Sequence, residues 1–374
     1  MHFLIAPNAF KNTLTAGEAA AAILEGFQES GIPFTYELFP VGDGGDGTGD
    51  LLVDRFKGTF VSASAHDPIG RTINAKYGLI DSGDTAIIEM TYASGIKLLE
   101  KSERDPLHAS SFGTGELIRH ALEQGARNLL ITMGGSATVD GATGIMRALG
   151  FRFLNDQREE LLYIKDMGAL HSIDNSSVDD LSRRTSFTVL CDVKNIICGP
   201  EGAAAVYGPQ KGADHNAVIE LDGALQRLAE ILERTTGKSI FQLTSGGTAG
   251  GAAAGLYALL DATLFPGIDY FLDLCHFGDA LDKADVVITG EGGLDEQTMQ
   301  GKAPFGVARR AKAAGKKTVC IAGTVPDQPG LSMKAMFDLI IGTSQPGSPV
   351  SHTEAFKNLK ETAGKAAKQL VSQS

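Results

Sequence analysis

Short apolar runs alternate along the chain with longer segments in which apolar residues recur every three or four positions. The run HFLIA at 2–6 predicts a buried strand. The next segment begins with Thr15 and Glu18, which have the spacing of a capping box, and ends at Gly31, so it is predicted to be a helix. TYELFPV at 35–41 predicts a second strand. The chain therefore begins with a strand–helix–strand unit, which is typical of parallel sheets.

The same alternation returns in the middle and at the end of the chain. Further strands are predicted at 128–133, 284–289, 317–323 and 337–342, and helices at 115–125, near 306–315 and after the capping box SHTE at 351–354. Alternating strands and helices of this kind predict an α/β fold built on a parallel sheet.

Two stretches interrupt this alternation and indicate a second domain. Short strands without an intervening helix are predicted at 57–101, and 151–277 mixes strands with helices of small residues. The 374 residues also exceed the length at which one hydrophobic core usually stops growing. We therefore predict two domains, with a second α/β domain inserted into a Rossmann-like parallel-sheet domain. The Rossmann-like domain is predicted at 1–56, 102–150 and 278–374, and the inserted domain at 57–101 and 151–277.

Composition and charge narrow the class of partner. The net charge of −12 and the absence of Trp argue against nucleic acid, which normally requires a basic surface or aromatic stacking. The first residues carry no basic leader, and no segment approaches the ~18 consecutive apolar residues of a membrane helix. The four cysteines form no C-x-x-C pair, so a zinc or dithiol site is not indicated. A cytoplasmic protein with a small-molecule substrate is expected, without nucleic acid or membrane partners.

Four glycine-rich loops follow predicted strands, at 6–12, 42–48, 134–144 and 290–302. In open parallel sheets, ligands bind beyond the carboxyl ends of the strands, and glycine loops there offer backbone N–H groups to anions. Any one of these loops is explained equally well as a simple turn of the chain. Together they predict a shared anion-binding site.

The loop VGDGGDGTGD at 41–50 has the G-x-G-x-x-G spacing of a dinucleotide-binding turn, but Asp43, Asp46 and Asp50 would repel a pyrophosphate. Carboxylates beside phosphates are explained when a divalent cation lies between them, so the loop favours Mg²⁺-dependent phosphoryl transfer. The alternative is a nicotinamide-dependent oxidoreductase of a small hydroxy acid that uses glycines 42–47, with Asp67 near the spacing of its acidic residue. A non-catalytic metabolite sensor is a third hypothesis, which a turnover assay would separate from an enzyme.

Cationic and acidic side chains in turn-rich segments are the candidates for chemistry. Lys11, Arg71, Lys211 and Lys302 each lie in a predicted loop, although most exposed lysines are solvated surface charges. Asp192 follows the apolar run FTVLC, so it is either a carboxylate at the end of a strand that orients a reacting hydroxyl or a residue that caps a turn.

The ordered motifs of the chain resemble the glycerate kinases of type 1, the bacterial glycerate 2-kinase family. The motifs are APNAFKNTLTA, PVGDGGDGT, DPIGR, GTGELI, MGGSATVDGATGIMRALG, CDVKN, YGPQKGA and ITGEGGLDEQTMQGKAPFGVA, between residue 4 and about residue 310. The resemblance implies ATP-dependent phosphorylation of D-glycerate with Mg²⁺, yielding 2-phosphoglycerate. The chain departs from the family where Asn8 and Ala9 replace Asp-Ser and where Asp46 replaces Glu.

The predicted site combines these residues in four roles. Asp192 and Lys11 are predicted to be catalytic, and substrate contacts are predicted for Asn8, Lys11, Arg71 and Lys211. ATP contacts are predicted for Gly134, Gly135, Ser136 and Lys302, and Mg²⁺ contacts for Asp43, Asp46, Glu291 and Asp295.

Overall fold

The computed structural model describes residues 1–295, 301–343 and 350–372. These residues form a mixed α/β fold with parallel sheets, which confirms the predicted fold class. The chain divides into two compact units. Unit 1 comprises Met1–Asp43 and Ile268–Ser374, and unit 2 comprises Gly44–Gly267.

Strands and helices are numbered in chain order. The strands are β1 (His2–Ile5), β2 (Thr35–Leu38), β3 (Thr59–His66), β4 (Thr72–Ile80), β5 (Thr85–Glu89), β6 (Asn128–Thr132), β7 (Arg152–Leu154), β8 (Ser172–Asp174), β9 (Ser186–Cys191), β10 (Thr263–Pro266), β11 (Val286–Thr289), β12 (Lys317–Ala322) and β13 (Leu339–Gly342). The helices are α1 (Ala16–Glu29), α2 (Thr48–Arg55), α3 (Thr91–Ser94), α4 (Phe112–Glu123), α5 (Thr143–Ala148), α6 (Asp180–Arg184), α7 (Ala203–Tyr207), α8 (His215–Thr236), α9 (Thr248–Leu260), α10 (Gly267–Leu274), α11 (Phe277–Lys283), α12 (Ala303–Ala313), α13 (Leu331–Met336) and α14 (His352–Ser372).

Unit 1 is built on a parallel sheet with the order β13-β12-β11-β1-β2. The order reverses beside β1, because the chain passes from β1 to β2 on one side and later returns to the other side with β11. Phe3 pairs with Val286 and Ile5 with Ile288 across this junction. In doubly wound sheets, ligands bind beyond the carboxyl ends of the strands at such a reversal.

Both predicted capping boxes are present at the helices that cover this sheet. Glu18 N donates to Thr15 Oγ1 over 3.2 Å, and Thr15 N donates to Glu18 Oε2 over 2.8 Å. Ser351 and Glu354 exchange the same pair of bonds at the start of α14. α1 and α14 pack so closely that a Cβ at Gly26 would lie 2.1 Å from the Lys360 carbonyl oxygen. Glycine is therefore required where these two helices meet.

Unit 2 is built on a mixed sheet with the order β10-β9-β6-β5-β4-β3. Within this sheet, β5, β6, β9 and β10 are parallel to one another. β3 and β4 extend the sheet beyond β5 through antiparallel pairing. Ile88, Ile131 and Val189 lie on adjacent parallel strands and are fully buried in the core of this unit. β7 and β8 form a separate antiparallel pair.

The division of the chain differs from the predicted domain boundaries. β6 had been assigned to the Rossmann-like domain, but it pairs with β5 on one side and with β9 on the other. Residues 44–56 and 102–150 therefore belong to unit 2. A buried parallel strand reads as a continuous apolar run, and such a run carries no information about which sheet it joins.

Within the part of the chain that the structure describes, no helix is both long enough and apolar enough to cross a membrane.

Candidate active site

The loops beyond the carboxyl ends of β5, β6 and β9 lie side by side in unit 2, because these three strands are adjacent and parallel. We call this region the unit 2 edge and define it as the 44–49 loop, Glu89 with Thr91, the 133–140 loop, Asp192 and Lys211.

A buried carboxylate anchors the 44–49 loop. Gly47 N donates to Glu89 Oε1 and Gly49 N to Glu89 Oε2, both over 2.8 Å, and Thr91 Oγ1 donates to Oε1 over 2.8 Å. Glu89 is 2% exposed. Burial raises the pKa of Glu89, and the three donated hydrogen bonds oppose that rise. The backbone donors of this glycine loop thus serve an internal carboxylate.

This arrangement corrects the nicotinamide interpretation of the loop. In a dinucleotide-binding turn, the N–H groups at the start of the helix face the pyrophosphate. In this chain the N–H groups of Gly47 and Gly49 donate to Glu89, so they are not available to a phosphate. The spacing of glycines 42–47 is therefore not evidence for a hydride-transferring enzyme.

The 133–136 segment packs directly against the 44–49 loop. Met133 N and Gly134 N both donate to Gly44 O, over 2.9 and 3.1 Å. A Cβ at position 134 would lie 2.4 Å from Gly45 Cα and 3.2 Å from Asp192 Oδ2, so Gly134 permits this close approach. The structure thereby brings Gly134 next to Asp192.

Gly135 lies in the same contact. Its φ of +76° is in the left-handed region, and a Cβ there would lie 2.7 Å from Thr91 Cγ2 and 3.6 Å from Asp46 Cβ. Gly134, Gly135 and Asp46, which were predicted from two separate motifs, are therefore neighbours. The Gly134 N–H is occupied by Gly44 O, so a phosphate cradle in this segment would use Gly135 and Ser136.

Lys211 is a buried cation of the unit 2 edge, in contrast to an ordinary surface lysine. It is 5% exposed, and its Nζ donates to Ser136 Oγ over 2.9 Å and to Thr138 O over 2.7 Å. Burial lowers the pKa of Lys211 to about 8, and the charges of Asp140 and Asp192 act in the opposite direction. The ammonium group therefore fixes the 136–138 segment and lies in the electrostatic field of Asp192.

Asp140 is a second buried carboxylate that sequence reasoning missed. It accepts hydrogen bonds from Ser111 N over 2.8 Å, from Ser111 Oγ over 2.7 Å and from Gly144 N over 3.2 Å. Burial raises its pKa. These bonds tie the 140–144 turn to the start of α4. The one sequence signal for Asp140 is its place between glycines, which equally suits an exposed turn.

Arg71, which is predicted to contact the substrate, also donates to three protein acceptors. Its Nε donates to Asp67, its Nη1 to Glu103 over 2.8 Å, and its Nη2 to the Leu98 carbonyl oxygen over 2.9 Å. All three nitrogen atoms of the guanidinium thus serve protein acceptors. Arg71 braces the 96–98 turn, which in turn donates from Ile96 N to Gly135 O over 2.9 Å.

Four of the predicted residues of unit 1, namely Asn8, Lys11, Asp43 and Glu291, lie on the loops at the reversal of its sheet. Asn8 N donates to Gly290 O over 2.9 Å, and Asn8 Nδ2 donates to Asp43 Oδ2 over 3.1 Å. Glu291 is 6% exposed, and Lys11 is exposed on the turn after β1. We call these residues, with Asp43, the unit 1 edge.

Two of the carboxylates that are predicted to bind Mg²⁺ are paired with lysines. Asp46 forms an ion pair with Lys97, and Asp295 Oδ1 lies 3.4 Å from Lys302 Nζ. Residues 296–300, which lie between Asp295 and Lys302, are outside the described residues. Across the described ranges, no group of three or more His, Cys, Asp or Glu residues is placed to hold a metal ion.

Comparison with known proteins identifies relatives over the full length. The model of the glycerate kinase family matches residues 3–373. A glycerate kinase of Halalkalibacterium halodurans is 41% identical over 90% of this chain and 87% of its own length, and the glycerate 2-kinase of Escherichia coli is 36% identical over 99% and 97%. A crystal structure of glycerate kinase 2 from Salmonella typhimurium superposes with a TM-score of 0.83 at 38% identity, covering 100% of this chain and 99% of that one.

Proposed function

Because the chain belongs to the glycerate kinase family, it phosphorylates glycerate from ATP, and we propose that the unit 2 edge carries the reacting groups. We assign D-glycerate as the substrate and its 2-hydroxyl as the acceptor, so that the product is 2-phosphoglycerate. The observation that supports this proposal is the close approach of the Asp192 carboxylate to Gly134, where a Cβ would lie 3.2 Å from Oδ2, together with the influence of the Asp192 charge on the buried Lys211.

Asp192 orients the attacking hydroxyl and accepts its proton. The residue is half-buried at the end of β9. Phosphoryl transfer requires the acceptor oxygen to lie in line with the bond that breaks between the γ-phosphorus and ADP. As the new O–P bond forms, the hydroxyl proton passes to the carboxylate and ADP leaves. A carboxylate next to the closely packed backbone of Gly134 suits this task, because catalytic groups act best when little reorganisation is needed during the reaction.

Gly135, Ser136 and Lys211 receive the phosphoryl group in this proposal. Lys211 is held by Ser136 Oγ and Thr138 O, so its positive charge does not have to be reorganised during the reaction. A buried ammonium is worth more to an anionic transition state than an exposed one, because less solvent screens it. In place of the predicted direct contact with glycerate, we assign Lys211 two roles. It fixes the 136–138 segment, and it supplies positive charge to the phosphoryl group.

We assign Asn8 and Lys11 of the unit 1 edge to substrate contacts, and Lys302 to contacts with ATP. Lys11 is exposed, and the side chain of Lys302, which pairs with Asp295, is partly exposed, so solvent reaches both. Asn8 holds Asp43 through its side-chain amide.

The carboxylates of the two glycine-rich loops suit Mg²⁺, which takes oxygen ligands and keeps several waters. Asp43 or Asp46 would hold the ion, and Glu291 and Asp295 are the other candidate ligands. The ion would arrive with ATP, in keeping with the lack of a cluster of three or more carboxylates among the described residues. When bound, it supplies charge neutralisation for the phosphates.

Phosphorus NMR of the product tests the assignment. The protein is incubated with Mg-ATP and D-glycerate, L-glycerate or hydroxypyruvate in parallel reactions. The 2-phosphate ester is expected from D-glycerate. The 3-phosphate ester alone would overturn the regiochemistry, and no ATP consumption with any of the three acceptors would overturn the kinase assignment itself.

A further inference from the structure

Glu89 has no part in the mechanism above, yet it is the buried group to which the 44–49 loop is attached. We propose that Glu89 is a positioning residue for phosphoryl transfer. Its carboxylate occupies the anion-binding N-terminus of α2 and thereby fixes the 44–49 loop against Gly134. This inference rests on the proposed function, because the loop matters for turnover only where the unit 2 edge carries the reaction.

The start of α2 supplies the donors that Glu89 satisfies. A helix N-terminus leaves backbone N–H groups without partners and attracts negative charge. The residue before α2 is Gly47, with φ +87°, and it has no side chain that could cap the helix. Glu89 provides the missing acceptor from the end of β5, through Gly47 N and Gly49 N. An internal carboxylate thus stands where other glycine loops bind a phosphate.

The fit around the carboxylate leaves little freedom. A Cβ at position 49 would lie 2.8 Å from Glu89 Oε2 and 3.2 Å from Glu89 Cβ, so glycine is required for the contact. The same loop contacts Gly134 through Gly44 O and Gly45 Cα. Movement of the loop relative to β5 would therefore change the contact that holds Gly134 beside Asp192.

The loop also carries Asp46, which forms an ion pair with Lys97 and lies next to Gly135. The negative charge of Asp46 is one of the influences that raise the pKa of Glu89. With the N-terminus of α2 already occupied, the phosphates of ATP bind elsewhere at the unit 2 edge. Glu89 thus anchors Gly47 and Gly49 of the loop, whereas the side chain of Asp46 is not bonded to Glu89 and is proposed to face the ligands.

A carboxylate is required at position 89, and an amide cannot replace it. Oε1 accepts from Gly47 N and Thr91 Oγ1, and Oε2 accepts from Gly49 N. In Glu89→Gln, the Nε2 group cannot accept a hydrogen bond. Either orientation of the amide therefore places an N–H group against at least one backbone N–H of the loop.

The test compares Glu89→Gln and Glu89→Ala with a matched control, Glu116→Gln. Glu116 is also a carboxylate that accepts a backbone N–H, from His66 over 2.8 Å, and it lies outside the unit 2 edge. We expect kcat of Glu89→Gln to fall about tenfold or more, with KM for both substrates changed less, because positioning acts on the reacting geometry. The kcat of Glu116→Gln should stay within about twofold of wild type, because Glu116 does not position the reacting groups.

Formate distinguishes positioning from general stability. In Glu89→Ala, formate can enter the space left by the carboxylate and accept from the N–H groups of Gly47 and Gly49. We expect kcat of this variant to rise severalfold with formate and to saturate, whereas formate leaves Glu116→Gln unchanged. Loss of kcat without any formate response, with a fall in melting temperature that accounts for the loss, would overturn the proposal.

Two further outcomes complete the test. If Glu89→Ala does not fold, the proposal is judged from Glu89→Gln alone. A kcat of Glu89→Gln within twofold of wild type would then overturn the proposal. If wild type forms no phosphoglycerate, the proposed function fails separately. The attachment of the 44–49 loop to Glu89 is then tested by the NMR signals of the Gly47 and Gly49 amides. These signals should shift in Glu89→Gln, and unchanged signals would overturn the proposal.

Discussion

The two sheet edges treat their charged residues differently. At the unit 2 edge, Lys211 and Glu89 are buried, and their side chains are held by hydrogen bonds to neighbouring loops. At the unit 1 edge, Glu291 is buried as well, but Lys11 is exposed, and Asp43 is held by one amide donor of Asn8 together with other contacts. Groups that are fixed before a ligand arrives suit chemistry, whereas exposed groups that order around a ligand suit binding. The comparison predicts that changes at the unit 2 edge act on kcat and changes at the unit 1 edge act on KM.

The largest effect is expected for Asp192→Asn. The amide keeps the shape of the carboxylate but cannot accept the hydroxyl proton, so kcat should fall about 100-fold or more. KM for ATP should change little, because the change is confined to the acceptor side. Steady-state kinetics with D-glycerate measures both constants. A variant with wild-type kcat would show that Asp192 only caps the turn after β9.

Lys211→Met should reduce kcat by about 10- to 100-fold, because the transition state and the 136–138 segment both lose a charge-assisted contact. The pH dependence of wild type adds a sharper test. The pKa of Lys211 is lowered to about 8, so the ammonium loses its proton as pH rises through that value. We expect kcat/KM, which reports the free enzyme, to fall through about pH 8.

Lys211→Arg is the control for this titration. Arginine keeps its charge throughout the range, so the fall near pH 8 should be absent from its profile even if the absolute rate is lower. A fall at the same pH in Lys211→Arg would assign the basic limb to another group.

Lys11→Ala should raise KM for one substrate about tenfold, because a charge-assisted contact with an anion is worth roughly 1.5–3 kcal/mol. Its kcat should remain within about threefold of wild type, since an exposed lysine of the unit 1 edge contributes binding. Initial rates across a matrix of ATP and glycerate concentrations identify the substrate concerned. A selective loss of kcat would remove the distinction between the two edges.

Asp43→Asn and Asp46→Asn test the carboxylates of the 41–50 loop. Each change keeps the shape of the side chain and removes one negative charge, so at least one variant should require severalfold more Mg²⁺ for half-maximal activity. Titration of turnover with Mg²⁺ at fixed ATP gives the value. Unchanged Mg²⁺ dependence in both variants would make the acidity of the loop purely structural.

The smallest effect on activity is expected for Thr15→Ala, which removes the capping box of α1 in unit 1. Loss of such a cap costs about 1 kcal/mol of folding free energy. Urea denaturation should show this loss, and kcat and KM should both match wild type. A kinetic defect in this variant would show that stability alone perturbs turnover, and the other variants would then need the same correction.

Sequence patterns predicted the elements better than the site. The strand at 128–133, the capping boxes and the glycine loops at strand ends are local features, and all are present. The partners of buried charges are not local. Glu89 ends an apolar strand and lies 40 and 42 residues from Gly49 and Gly47 of the loop that it anchors, and Lys211 reaches the 136–138 segment from a distant turn. These contacts depend on which strands become neighbours, and the sequence pattern leaves that open.

The composition of unit 1 from both ends of the chain has a consequence for synthesis on the ribosome. β1 emerges first, but its partner β11 follows only after the whole of Gly44–Gly267 has been made. Unit 2 is one continuous segment, so its sheet can form completely before the partner strand β11 of β1 has been made. During that interval, the apolar side chains of Phe3 and Ile5 lie on a strand with one open edge, which is a common start of aggregation. The open edge of β1 thus exposes Met1–Asp43 to misassembly until β11 has been made.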